Sequence, residues 1–369
     1  MRHIICVGAV YMDTILTVPH FPEEDKKLRA SSHIRRRGGN TANTLEVISQ
    51  LLPDDNLNLE ESTYSTELSL LTVLPDPTSE DVKEVIRSLP EVSPRLFKHR
   101  HGQPHGASSY IIQNMEKQTR TIISTNPLQE MTVEEFTTAV FPLVTPDLRK
   151  DKDQVWIHFE GRIPDVLLEC VRWLRNKYGY HDVLKVSVEC EKPERTGMKD
   201  VAALADVVFY SKEWAEASVD PSICAPPVTA SAFLRSQVPH TQPHAILICT
   251  WSSEGAEALA KLNGEPSVFA SEPGWRPPPS YRGFELLAPI DTVGAGDTFI
   301  AGMLYAFVEQ KNWGLAQKVA FANELAGRKV YRQGFKDLGE EMKETNLWGE
   351  QLGRAPRQPQ VQQTQPQQG

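Results

Sequence analysis

Asp291-Thr292-Val293-Gly294-Ala295-Gly296-Asp297-Thr298-Phe299 runs directly into apolar residues at helical spacing, Ile300, Met303, Leu304, Phe307 and Val308. Glycines that open a helix let free backbone N–H groups come close to an anion, and the positive end of the helix favours negative charge. The segment therefore has the makings of a phosphate cradle. Asp297 lies inside it, where a carboxylate can accept the proton of an attacking alcohol. Aspartate is equally common as a plain helix cap, and the local chemistry alone leaves both roles open.

A second glycine-opened helix is expected near the other end of the chain, at Arg37-Gly38-Gly39-Asn40-Thr41-Ala42-Asn43. Asn40 and Asn43 are spaced i, i+3 and share one helix face. Each amide offers a donor and an acceptor, as a sugar hydroxyl requires. A simple N-cap at Asn40 is the alternative, and it leaves Asn43 unexplained. Asp13 lies just past the first apolar run, where α/β sheets place their ligands; in isolation it reads as a turn residue.

Along the chain, short apolar runs recur at 4–7, 68–73, 155–159, 183–188, 207–210 and 245–250, most with helix-like stretches between them. Strands alternating with helices predict βαβ units and a mainly parallel sheet covered on both faces. Helices are expected at 39–52, 165–178 and 298–310, and a β-hairpin from 109–113 and 120–124. The proline-rich segments 225–244 and 272–289 are incompatible with central strands and are expected to be exposed excursions. From about Gln351 the chain is dominated by Gln, Pro and Arg. Such a tail buries too little apolar surface to offset its ordering entropy and is expected to be disordered.

The 369 residues are 40% hydrophobic and 24% charged, enough for a well-buried α/β core. The net charge of -9 argues against a nucleic-acid partner; the basic run 33–37 is too short to outweigh it. The five cysteines, Cys6, Cys170, Cys190, Cys224 and Cys249, are scattered and include no C-x-x-C pair, so no disulfide framework or zinc site is expected. The chain enters an apolar run at once and has no stretch of membrane-spanning length, which makes a cytoplasmic protein the expectation. His99, His101 and His105 fit no common metal spacing, and Trp173 and Tyr178 read as core packing.

Taken together and in this order, the early Gly-Gly-Asn and the nine-residue stretch from Asp291 to Phe299 resemble the two signatures of the PfkB, or ribokinase-like, carbohydrate kinases. Finer matches resemble the ketohexokinase (fructokinase) branch: Ile5-Cys6-Val7-Gly8 with Asp13, Phe21-Pro22-Glu23-Glu24-Asp25, Trp156-Ile157-His158-Phe159-Glu160-Gly161-Arg162, Val186-Ser187-Val188-Glu189, Ser211-Lys212 and Gln333-Gly334-Phe335. The resemblance spans most of 3–337, is patchy over 53–105 and is absent from the tail. It implies a three-layer αβα sandwich with a mainly parallel central sheet and a small β-sheet lid drawn from about 11–37 and 107–124. The kinase domain would occupy 1–349 and the tail 350–369.

Carried across by position, the resemblance implies that Asp297 is the base and that the backbone of Gly294, Ala295 and Gly296 holds the developing charge. Asp13, Gly39, Asn40 and Asn43 would grip the sugar, joined by Asp25 in a homodimer formed through the lid. Arg120 and Lys212 would steady phosphates, with Trp251, Gly255 and Asn323 on the adenine side. ATP and Mg²⁺ are the expected cofactors, with Glu189 and Glu191 holding the waters of the magnesium ion, and K⁺ is expected beside Asp291. The chain departs from the family pattern at Pro53-Asp54-Asp55, Glu60-Glu61 and Thr125-Asn126-Pro127. Such changes can alter the acceptor without touching Asp297. The leading expectation is phosphorylation of a ketose such as fructose. Alternatives are another sugar, a sugar phosphate or a nucleoside, or a catalytically silent regulator. A nicotinamide dehydrogenase is disfavoured because no G-x-G-x-x-G follows the first strand.

Overall fold

The computed structural model describes residues 1–53, 65–117, 119–144, 154–180, 182–218, 228–278, 289–345 and 348. The tail, Cys224 and Glu60-Glu61 lie outside the described residues. In the first run, Ile4, Ile5, Cys6 and Val7 are all buried, the near-continuous apolar pattern of a strand covered on both faces. Because successive side chains point to opposite faces, Ile4 and Cys6 join a core with Leu45, Ile48, Phe299 and Met303. Ile5 and Val7 join a second core with Ile157, Phe159, Leu174 and Phe233. This alternation produces the three layers.

The strands are β1 (Arg2–Val7), β2 (Tyr11–Val18), β3 (Ser32–Gly38), β4 (Thr66–Leu71), β5 (Val73–Leu74), β6 (Val92–Ser93), β7 (Lys98–His99) and β8 (Ala107–Asn114). They continue as β9 (Thr119–Thr125), β10 (Gln154–Phe159), β11 (Leu184–Cys190), β12 (Val207–Tyr210), β13 (Ile246–Thr250), β14 (Gly255–Leu262) and β15 (Glu265–Pro273). The large sheet has the order β15-β14-β13-β12-β11-β10-β1-β4-β6. It is parallel from β6 to β13, and β14 and β15 are added antiparallel at one edge. A separate small sheet runs β3-β2-β8-β9, in which β8 and β9 form the expected antiparallel hairpin. β5 and β7 form a short parallel pair.

The helices Asn40–Leu51, Ala295–Val308 and Leu315–Val330 supply the first core, and Val133–Val140, Pro164–Tyr178 and Ala230–Gln237 supply the second. Three details correct the sequence expectations. The helix expected from 298 begins at Ala295, because Gly294 at φ 82° takes the N-cap position and brings Asp297 inside the first turn. The segment 225–244, expected to be an exposed excursion, contains the helix Ala230–Gln237 with Phe233 and Leu234 fully buried. Its proline content misleads because Pro239 falls in the 3-10 turn after the helix, where it ends the element instead of breaking it. Finally, β14 and β15 were not anticipated. Their two-residue connection is Asn263-Gly264, both at positive φ, the turn chemistry that a tight hairpin demands.

Candidate active site

Adjacent parallel strands end beside one another, and the residues that follow them form a row. Glu160 follows β10, Glu191 follows β11, Lys212 comes shortly after β12, and Trp251 follows β13. Ligands of open α/β sheets bind at these carboxyl ends. The small sheet brings Asp13 on β2 and Arg36 and Arg37 on β3 to the same region.

At the centre lies Asp297. The N-cap of its helix is Gly294, with no side-chain cap, so Asp297 is not the cap of its own helix. Its Oδ2 instead accepts a hydrogen bond of 2.7 Å from Asn43 Nδ2, while Thr44 Oγ1 donates to its backbone carbonyl at 3.2 Å. Burial, reinforced by the negative charge of Glu189, raises the Asp297 carboxyl well above the usual range, with the Asn43 hydrogen bond opposing. A carboxylate with raised proton affinity is better suited to take a proton from an alcohol.

Asn43 Oδ1 accepts from Arg37 Nη1 at 2.5 Å, and Arg37 also pairs with Glu46. Its neighbour on the helix face, Asn40, donates from Nδ2 toward both Glu189 and Glu191, each at 3.3 Å. The helix that carries both amides starts at Gly39, whose φ of 105° and close approach to the carbonyl of Ala9 exclude a side chain. Asp13 is buried against Gly38, and burial raises its carboxyl while Arg36 and a hydrogen bond from Ser109 oppose. The exposed Asp25, at φ 61°, stands apart: among the described residues no hydrogen bond or ion pair ties it to this cluster.

Beneath Asn40 a polar chain links Glu189 to Trp156, Ser187 and His158, three residues quoted in the sequence but given no role. Trp156 Nε1 donates to Ser187 Oγ at 2.8 Å, Ser187 Oγ lies 2.9 Å from His158 Nδ1, and His158 Nε2 lies 3.0 Å from Glu189 Oε1. Burial pushes the His158 imidazole down to about 3, so the ring is neutral. Tryptophan only donates. Every proton is satisfied when the serine hydroxyl donates to Nδ1 and the Nε2–H donates to the glutamate. Glu189 itself is pushed up to about 8, first by burial and then by Glu191. Glu160, also without an assigned role, is pushed up to about 7 by burial and accepts from the Ala9 amide at 2.8 Å.

Around the 291–297 loop, Arg120 Nη1 on β9 donates to Thr292 Oγ1 at 2.7 Å. Asp291 is buried: its Oδ1 accepts from the Val293 amide at 3.0 Å, and Oδ2 pairs with Lys329 at 2.9 Å and Arg36 at 3.1 Å. Burial alone would raise this carboxyl, but Lys329 and then Arg36 outweigh it and hold it below the ordinary range. At the far end of the row, Lys212 Nζ lies 5.3 Å from the Trp251 ring centroid and 3.4 Å from Glu254. Trp251 donates its amide to the Gly255 carbonyl at 2.7 Å, and Asn323 Nδ2 donates to the Pro273 carbonyl at 2.7 Å. His99 is engaged elsewhere, its Nδ1 3.0 Å from the Pro75 carbonyl.

The family model of pfkB carbohydrate kinases matches residues 1–339. Ketohexokinase of Mus musculus is 27% identical over 343 residues, covering 91% of this chain and 99% of that protein. The solved ribokinase of Giardia lamblia superposes with a TM-score of 0.63 at 16% identity, covering 92% of this chain and 98% of its own. The ribokinase of Cryptococcus neoformans in complex with ADP superposes with a TM-score of 0.59 at 13% identity, covering 92% of this chain and 100% of its own. The nucleoside kinase of Methanocaldococcus jannaschii gives a TM-score of 0.60 at 17% identity, covering 91% of this chain and 94% of its own.

Proposed function

The chain belongs to the pfkB family of carbohydrate kinases, ATP-dependent phosphotransferases, and we propose that its acceptor is a ketose, with fructose the first substrate to try. The observation that carries this reading is the buried Asp297, held by the Asn43 amide in the first turn of a glycine-capped helix. In the proposed reaction Asp297 takes the proton of the sugar hydroxyl. The hydroxyl oxygen forms a bond to the γ-phosphorus, the bond from that phosphorus to the bridging oxygen breaks, and ADP leaves. Backbone N–H groups of residues 293–297 and the guanidinium of Arg120 support the charge that develops.

Asp13, Gly39, Asn40 and Asn43 would hold the sugar. These polar groups suit a polyhydroxylated acceptor better than a purine, which favours an apolar or aromatic slot. Lys212, Trp251, Gly255 and Asn323 would hold the nucleotide. Glu189 and Glu191 fit a magnesium ion: they are hard oxygen donors, and Glu191 adds to the burial that raises Glu189, a repulsion between the two carboxylates that a cation would relieve. When bound, Mg²⁺ neutralises the triphosphate. We place the kinase body at 1–349, in the cytosol, as a homodimer through the small sheet to which the partner subunit's Asp25 would add a sugar contact. Among the described residues no helix is long and apolar enough to cross a membrane.

The test is a coupled ADP-release assay with Mg-ATP on fructose, ribose, adenosine and fructose phosphates. Fructose is expected to give the highest kcat/KM. A wide margin for adenosine or a sugar phosphate would overturn the ketose assignment within the family. Nucleotide binding without acceptor-stimulated ADP release would point to a silent regulator.

A further inference from the structure

Asp291 stands at the entrance of the loop that offers its N–H groups to phosphate, and an uncompensated carboxylate there would repel the anion. The resemblance noted in the sequence implies an alkali ion at this position. The surroundings of Asp291 do not leave one room. A carboxylate has about four acceptor sites. Here Oδ1 receives the Val293 amide, and Oδ2 receives Lys329, Arg36 and, at 3.2 Å, the Gly334 amide. The main-chain carbonyl of Asp291 is also taken, by Lys329 Nζ at 2.8 Å.

Lys329 is fully buried, an unusual place for a lysine. Its ammonium bridges the backbone oxygen and the carboxylate of one residue and lies 5.2 Å from the centroid of the Phe335 ring. Two oxygens of the same aspartate together with an aromatic face are a fitting environment for a monovalent cation. The helix Leu315–Val330 fixes the lysine from behind the loop. Asp291 is paired directly with two cations, Lys329 and Arg36, whose charges also act on the neighbouring Glu46. A further alkali ion would have to enter against both.

We propose that the ammonium of Lys329 is the resident monovalent cation of the 291–297 loop, so that phosphoryl transfer by this protein needs no added K⁺. The proposal rests on the assignment of the loop to phosphoryl transfer and is independent of which sugar is the acceptor. Lys329 acts as a positioning residue: it touches Asp291, not the phosphates.

The full-length protein, exchanged into tetramethylammonium chloride, is assayed for ADP release as KCl is added at constant ionic strength, and its crystals are soaked in RbCl for anomalous scattering. The expected result is a change in rate below ~2-fold, against the far larger effect that losing a charge-stabilising group produces, with no rubidium at Asp291. Activation of ~5-fold or more by KCl, well beyond ionic-strength effects, or a rubidium ion coordinated by Asp291, overturns the proposal. Lys329→Ala is expected to lose at least ~10-fold in turnover, the scale of losing one preorganised electrostatic group, and to recover with KCl or methylammonium. Full turnover of the variant without any small cation also overturns it. If the variant does not fold, the two measurements on the unmodified protein still decide. If no sugar stimulates ADP release, the substrate assignment fails while the rubidium measurement remains decisive.

Discussion

Two helices of this protein start at a glycine with positive φ, Gly39 at 105° and Gly294 at 82°, and they use the same backbone device for different chemistry. Behind Gly39 come neutral amides, Asn40 and Asn43, with no acidic residue in the first turn. Behind Gly294 come two small residues and then a buried acid, Asp297. The first helix start presents amide side chains; the second presents N–H groups without a side-chain cap and one buried carboxyl. They meet in the hydrogen bonds from Asn43 Nδ2 to the Asp297 carboxylate and from Thr44 Oγ1 to the Asp297 carbonyl. A glycine entrance thus fixes where a helix begins and how close a ligand comes, while the next three side chains decide what happens there.

The comparison breaks most severely at the acid. Asp297→Asn keeps shape and a hydrogen-bonding partner for Asn43 but removes the proton acceptor, and turnover is expected to fall by at least ~10²-fold, the scale of general-base loss. Nucleotide affinity, measured by titration calorimetry, should be retained. Near-normal turnover would remove Asp297 from the mechanism and make its helix start as passive as that of Asn40.

Asn43→Ala tests whether the two helix starts act as one unit. It leaves Asp297 Oδ2 and Arg37 Nη1 each short of a partner, a cost of about 1–3 kcal/mol for each buried group. The expected outcome is a fall in kcat of about 10-fold, equivalent to ~1.4 kcal/mol, together with a higher KM for the sugar. A change confined to KM would mean that Asn43 serves the sugar alone.

A third effect is expected on stability, not on turnover. Gly39→Ala puts a Cβ at positive φ and against the Ala9 carbonyl, which costs on the order of 1–3 kcal/mol. The melting temperature should drop by several degrees, an amount calorimetry resolves. An unchanged value would mean that the chain near Gly39 yields easily, and that the comparison with Gly294 is one of sequence only.

Much of this fold was legible because its signals are local. A run such as Val207 to Tyr210 is apolar throughout because both faces of the strand are covered, and the glycines at 294 and 296 mark a helix start whatever surrounds them. The added edge of the sheet was missed although Asn263-Gly264 announces a tight turn; β15 is largely exposed and lacks the apolar run by which the other strands were recognised. In the site, the residues flanking each glycine could be read, and their partners could not. Arg36 reaches Asp291 across 255 positions, and His158 reaches Glu189 across 31, so neither pair exists until the sheet has formed. Lys329 is hidden for another reason. In the sequence it is a lysine beside an arginine, near the end of a helix, the pattern of an exposed last turn.

Two side chains of the small sheet hold the loop before the second helix: Arg36 on β3 through Asp291, and Arg120 on β9 through Thr292. The sheet and the loop are therefore thermodynamically linked. A phosphate that draws Arg120 away from Thr292 must change the free energy of the small sheet's position. By reciprocity, a sugar that fixes that sheet must change the affinity for phosphate by the same factor. Order of binding cannot alter that factor, so each ligand taken up by this protein reports on the other.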